Sequence, residues 1–326
     1  MKDRRPVIDG FLLCILLAVV LAVFFPPMGM RNGTGGVNRL AGIAVTCVFF
    51  LHGAVLPVEA LRQGLRNLRL HLIVTGSTYV IFPLLGAAVF HLGRGLLLPA
   101  VALGFFFMSV VSSTISSSIA MTAMAGGNVA GALFNATLSG VIGVFMTPTL
   151  TSAMLHTAGV PIHLREVIIA VSLKVLLPLL IGQLARPLLL PHLLRHPKIV
   201  QWTDQSSIVL IVYGAFCESA GAGVWTRDAV VPVLLTFLVS AAFLVTVGGA
   251  IAGLTRVTRL GRKDAIAAYF CGTQKSLANG LPIAHTVFAG SPSMGLIVMP
   301  LLVYHQVQLA IGAYLARRFA EGTGND

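Results

Sequence analysis

Apolar runs of roughly 20 residues, closed by proline, glycine or charged clusters, recur at about 8–27, 38–60, 69–92, 96–124, 128–155, 165–186, 203–222, 229–254, 264–288 and 293–316. A helix of that length matches the hydrocarbon core of a bilayer, and the runs lack the alternation of barrel strands. The pattern predicts an all-α polytopic membrane protein with ten transmembrane helices.

Two runs carry polar interruptions at matching places. The fourth contains Ser112-Ser113-Thr114-Ile115-Ser116-Ser117-Ser118, and the ninth contains Cys271-Gly272-Thr273-Gln274-Lys275-Ser276-Leu277-Ala278-Asn279-Gly280, with Pro282 just beyond. The first could stay a continuous helix whose hydroxyls bond back to carbonyls one turn earlier. The second has too much helix-breaking and polar content for a lipid-facing segment, and an unwound crossover is expected there. Unwound backbone at membrane depth exposes carbonyls that coordinate cations and half-helix N-termini that favour anions. Two such breaks crossing near the midplane are expected to form a binding site.

The halves also resemble each other. At an offset of 161, Leu51-His52-Gly53-Ala54-Val55 aligns with Val212-Tyr213-Gly214-Ala215-Phe216, and Thr114 with Lys275; at 164, Ala125-Gly126 aligns with Ala289-Gly290. Each repeat, about 8–155 and about 165–316, holds five runs. An odd number turns the second upside down relative to the first, the inverted-repeat plan of many secondary transporters.

Composition agrees. Of 326 residues, 56% are hydrophobic and 10% charged, with a mean hydropathy of +0.92, against roughly 25% charged in a soluble domain. No large soluble domain fits between the runs. A net charge of +12 would suggest nucleic acid in a soluble protein, but in a membrane protein basic residues first report topology, and no nucleic-acid partner is expected. With the N-terminus inside, Lys2, Arg4, Arg5, Arg62, Arg66, Arg69, Arg186, Arg195, Lys198, Arg256, Arg259, Arg262, Lys263, Arg317 and Arg318 are cytoplasmic, and only Arg31, Arg39, Arg94, Arg165 and Arg227 lie outside. This bias predicts cytoplasmic termini in a bacterial inner membrane. Met1-Lys2-Asp3-Arg4-Arg5 and the run after it carry no small-residue cleavage site before Pro26-Pro27, so the run reads as a retained helix rather than a signal peptide. Cys14, Cys47, Cys217 and Cys271 all fall in apolar runs and form no spaced cluster.

Candidate chemistry lies inside the runs. A lysine at the membrane centre costs about 2.5–3.5 kcal/mol, so Lys275 must face a polar cavity, a partner or a bound anion. Lys174, in the sixth run, either does the same or snorkels to the interface, and Glu218 is an intramembrane acid or an interfacial residue. Asn128, Asn135, Thr137 and Ser139 lie in the fifth run; Asn135 and Ser139, four apart, share a helical face. They supply oxygens to an ion at the first break or bond neighbouring helices. Tyr304-His305-Gln306 with Gln308 forms a polar patch in the last run. No catalytic constellation accompanies the scattered histidines and acids, and an enzyme is not expected.

At these residues the chain resembles the bile acid:sodium symporter family, and most closely its branch of bacterial and vertebrate bile-acid-transporter-like proteins. The likeness rests on Gly272-Thr273-Gln274-Lys275-Ser276-Leu277-Ala278 before Gly280-Leu281-Pro282, on Leu173-Lys174-Val175-Leu176-Leu177-Pro178 with Gly182-Gln183, and on Ser113-Thr114-Ile115-Ser116-Ser117 leading to Ala125-Gly126-Gly127-Asn128. It implies a core domain from helices 3, 4, 5, 8, 9 and 10, a panel domain from helices 1, 2, 6 and 7, and broken, crossing helices 4 and 9. It further implies ion ligands at Thr114, Ser116, Ser117, Asn135, Ser139, Gln274 and Thr78, with sodium at Ser117, Asn135 and Gln274. Substrate would meet Lys275, Ser276, Asn279, Lys174 and Gln306.

Two positions depart from the family's ninth-helix pattern: Phe270 stands in place of its glutamate and Lys275 in place of its asparagine. Loss of a carboxylate and gain of an ammonium both disfavour a hard cation, so the family's two sodium sites are not both expected to survive. The expectation is a secondary active symporter, sodium- or proton-coupled, for an organic anion such as a bile-acid-like molecule, a small carboxylate or sulfate. Lipid is its surroundings, sodium the one bound ion the residues allow, and its oligomeric state is left open. The rival is a transport-inactive membrane regulator of ion homeostasis.

Overall fold

The computed structural model describes residues 10–30, 36–56, 67–93, 95–157, 169–223 and 230–321. Its helices are α1 (Gly10–Phe24), α2 (Val37–Val55), α3 (Leu68–Leu92), α4 (Pro99–Val110), α5 (Ile115–Met124), α6 (Val129–Thr157), α7 (Ile169–Arg195), α8 (Lys198–Gly221), α9 (Val230–Val257), α10 (Arg262–Thr273), α11 (Leu277–Val287) and α12 (Met294–Glu321). Each apolar run contains helix. Among the described residues, five helices, α3, α6, α7, α9 and α12, are long and apolar enough to cross a bilayer, and six spans result if α4 and α5, bent by 64° at their break, count as one. The protein is thus an all-helical integral membrane protein. Both chain ends, and Lys2, Arg4, Arg5, Arg62, Arg66, Arg31, Arg94, Arg165 and Arg227 of the charge argument, lie outside the described residues.

Of the two conformations open to the serine-rich stretch, the protein has the unwound one. Helix α4 stops at Val110 and α5 begins at Ile115, and in the companion run α10 stops at Thr273 and α11 begins at Leu277. The two breaks touch directly: the Ser276 amide donates to the Ser112 carbonyl at 2.9 Å.

Around them the helices form two packed groups. In one, α2 lies against α7 and α8, and α1 against α8. In the other, α4 packs on α3 and α12, and α10 on α3, α5, α6 and α9. Leu173, Leu180, Leu184 and Leu188 of α7 are exposed, as expected for a lipid-facing helix.

The α2–α7 contact is backbone to backbone. A side chain added at Gly53 would run into the Leu179 carbonyl, and one at Gly182 into the Phe50 carbonyl. Such reciprocal glycines let membrane helices approach closely where no hydrophobic driving force separates lipid from protein. Replacing Gly182 with leucine is expected to force the pair apart at a cost of about 1–3 kcal/mol, lowering the thermal unfolding midpoint in detergent by several degrees. Gly249→Leu, into open space, is the matched control and should leave the midpoint unchanged.

Candidate functional site

Ending a helix inside the membrane leaves its last carbonyls without intrahelical donors, and each needs a partner from elsewhere in the protein. At the end of α4 five successive carbonyls, from Met108 to Ser112, find such partners. The Met108 carbonyl accepts from the Val111 amide at 3.3 Å, that of Val110 from the Thr147 hydroxyl at 2.8 Å, and that of Ser112 from the Ser276 amide. The carbonyls of Ser109 and Val111 accept from the ammonium of Lys275, at 2.7 and 2.8 Å.

A third carbonyl, that of Thr78 in α3, accepts from the same ammonium at 3.3 Å. The local sequence explains why it is available. Residues Ser77–Ile81 form a π-helical turn in which the Phe82 amide donates to Ser77, five residues back. The next donor in that register would be residue 83, a proline without an N–H, so Thr78 keeps an unclaimed carbonyl. The face of Phe82 covers the ammonium, 4.0 Å from the ring centroid, and Lys275 is fully buried.

Side chains close the other break. At the end of α10 the Phe270 carbonyl accepts from Ser118 at 3.3 Å, that of Cys271 from Ser113 at 2.7 Å, and that of Thr273 from the Tyr304 hydroxyl at 2.6 Å. Gln308 clamps the Lys275 peptide: its Oε1 accepts from the Lys275 N–H at 2.7 Å and its Nε2 donates to the Lys275 carbonyl at 2.8 Å.

Several of the expected ion ligands are hydrogen-bonded within the protein. Ser117 donates to Gln274 Oε1, and the Gln274 amide nitrogen faces the Met121 sulfur at 2.8 Å. Ser139 Oγ accepts from the Ser113 amide at 2.9 Å; Asn135 pairs with His71 Nδ1 at 3.0 Å and donates to the Gly131 carbonyl at 2.8 Å. Thr114 is half-buried at the start of α5, and Ser116 is exposed. The Thr78 hydroxyl is buried with no hydrogen-bond partner. Phe270 sits in an apolar cluster with Met121, Ala125, Ile266 and Ala316. For a sodium ion at Ser117, Asn135 and Gln274 the neighbourhood supplies an ammonium and no carboxylate, both of which disfavour a hard cation.

Among the residues expected to meet substrate, Ser276 caps α11 by accepting from the Asn279 amide at 3.2 Å, and Asn279 donates to Ser112 Oγ at 2.9 Å. Lys174 is exposed on α7 and Gln306 is half-buried on α12.

A cavity of about 210 Å³ lies beside the crossover between the two helix groups, lined by Phe49, His52, Val55, Leu56, Ile115, Leu133, Thr137, Gly140, Val141, Val144, Leu179 and Asn279. Ile115 and Asn279 belong to the first turns of α5 and α11, so both half-helices direct their positive ends toward it. Thr137 contributes a buried hydroxyl with no hydrogen-bond partner. His52 Nε2 lies 3.0 and 3.2 Å from the two carboxylate oxygens of Asp204 on α8. The pair escapes sequence reasoning because 152 residues separate its members. Gln308, a member of the polar patch in the last run, stands four residues from Tyr304, which places those two on one helical face.

Gln308→Leu is expected to strand the N–H and C=O of Lys275 and to destabilise the protein by about 2–4 kcal/mol, read as a lowered unfolding midpoint. Gln306→Leu, at the neighbouring position, should change it little.

Comparison with known proteins covers the same length of chain. The SBF-like CPA transporter family matches residues 9–321. YfeH of Escherichia coli (strain K12), named as a proposed symporter, is 37% identical over 97% of this chain and 94% of its own. The sodium/bile acid cotransporter 7-B of Xenopus laevis is 29% identical over 94% of this chain and 90% of its own, and the cotransporter 7 of Mus musculus 28% identical over 94% and 91%. The likeness carried by the break motifs thus extends across nearly the whole sequence, and the chain belongs to the SBF-like CPA transporter family, within the bile acid:sodium symporter group.

Proposed function

We propose that the protein is a secondary active symporter that moves a small organic anion by alternating access, as a core (α3–α6 and α9–α12) rocks against a panel (α1, α2, α7 and α8). Ten spans in two inverted repeats, with cytoplasmic termini in a bacterial inner membrane, complete this reading. Its support is the family, the two broken helices and the packing of the helices into two groups.

The observation that carries an anionic substrate is the cavity between those groups. The positive ends of two half-helices, an imidazole and an unpaired hydroxyl converge there. At about 210 Å³ it is smaller than the roughly 300–1,000 Å³ of sites for drug-sized ligands, which favours a small carboxylate or sulfate over a sterol skeleton. Asn279 and Thr137 would orient the anion, and Ser276 would hold the α11 N-terminus toward it.

Of the two coupling ions, protons fit the residues better than sodium. Ser117, Gln274, Ser139 and Asn135 already hydrogen-bond to protein groups, whereas His52 lines the cavity, bonds Asp204 and is of the residue type that changes charge between pH 5 and 8. Protonation of this pair as the anion enters would offset the anion's charge at the cavity.

Uptake of radiolabelled small carboxylates and sulfate into proteoliposomes tests the reading. Accumulation is expected under an inward proton gradient, with no further gain from an inward sodium gradient, and His52→Gln should lose at least tenfold of the proton-driven rate while retaining equilibrium exchange. No uptake of any of these anions under either gradient would favour the transport-inactive regulator.

A further inference from the structure

We infer that the Lys275 ammonium is a covalently tethered monovalent cation: it fills a carbonyl cage at the crossover that accepts potassium or sodium once the lysine is removed. The protein thus carries its own cation at this place instead of drawing one from solution.

The cage is cation-shaped on every side. Three carbonyls, those of Ser109 in α4, Val111 just past its end and Thr78 in α3, converge on one nitrogen at 2.7, 2.8 and 3.3 Å, and the Phe82 ring face lies 4.0 Å away. Carbonyl oxygens and an aromatic face are the groups proteins use to replace the hydration of a monovalent cation. Two of the three carbonyls lie at the C-terminal end of α4, where the helix dipole is negative. An ammonium has three N–H donors for three acceptors, whereas a neutral amine would turn a lone pair toward one carbonyl. None of these donors is left for a substrate, and Lys275 is absent from the residues lining the neighbouring cavity.

The same geometry separates the two ends of the crossover. The C-terminal end of α4 meets a fixed positive charge, while the N-terminal ends of α5 and α11 face the open cavity. Ser113 in the first break, Ser118 of α5 and Tyr304 of α12 already donate to the Cys271, Phe270 and Thr273 carbonyls at the end of α10. A cation position lies at the end of α4, and a side chain occupies it.

Purified protein unfolded thermally in sodium, potassium or choline chloride at one ionic strength tests the inference. The wild type is expected to melt at the same temperature in all three salts. Lys275→Ala should melt several degrees lower in choline and recover saturably as potassium or sodium replaces it. Lys275→Met, whose uncharged chain still fills the cage, should show no recovery. Stabilisation of the wild type by sodium or potassium over choline would overturn the proposal, as would a folded Lys275→Ala that ignores the cation. Failure of Lys275→Ala and Lys275→Ser to fold at all in potassium-rich cells would do the same, because a free cation would then be no substitute for the ammonium. Unfolding midpoints do not depend on transport, so loss of the symporter reading would leave this result standing.

Discussion

A backbone carbonyl inside a bilayer has no water to fall back on, and this constraint organises the centre of the protein. Breaking two helices at membrane depth strands two sets of carbonyls, and each set takes partners from the segment that crosses it. Lys275, beside the second break, serves the end of α4, and Ser113 and Ser118, in and after the first, serve the end of α10. Neither break is stable alone. Their crossing is held by the requirement that every freed group find a donor, with Gln308 and Tyr304 of α12 supplying what the breaks cannot give each other.

That economy fixes the polarity of the site. Half-helix C-termini end on hydroxyls and one ammonium, so they turn inward and become part of the packed interior. Half-helix N-termini remain facing a cavity shared with His52 and Thr137. The electrostatic asymmetry of a broken helix, negative at one stub and positive at the other, is thus divided between structure and recognition.

Much of this was legible in the chain. The lengths of the apolar runs, the polar breaks and the motifs around Gln274 and Ser117 identified a membrane protein of the right family, because the bilayer fixes helix length and forbids unpaired backbone. The crossover was expected, and Gln274, Ser117 and Ser139 do meet there. Individual roles were less legible. Gln306 and Lys174 look as polar as Gln308 and Lys275, yet a rotation of two positions on a helix, or a different depth in the fold, turns one toward the crossover and leaves the other partly or wholly exposed. Sequence spacing also could not pair His52 with Asp204, which come from helices packed only in three dimensions.

The sequence by itself determined that the chain enters a membrane and that its ninth run should unwind around Gln274 and Lys275, and the likeness to the family implied that Phe270 stands in place of a glutamate. Hydropathy and residue type suffice for the first two conclusions, since those depend on solvent transfer and charge alone. What Lys275 balances was decided only by the tertiary structure. An ammonium can be neutralised by an anion, a carboxylate or a ring of dipoles, and the choice rests on which acceptors lie within about 3 Å. Here the π-turn before Pro83 and the early end of α4 bring three carbonyls to that distance from segments 164 to 197 residues away along the chain.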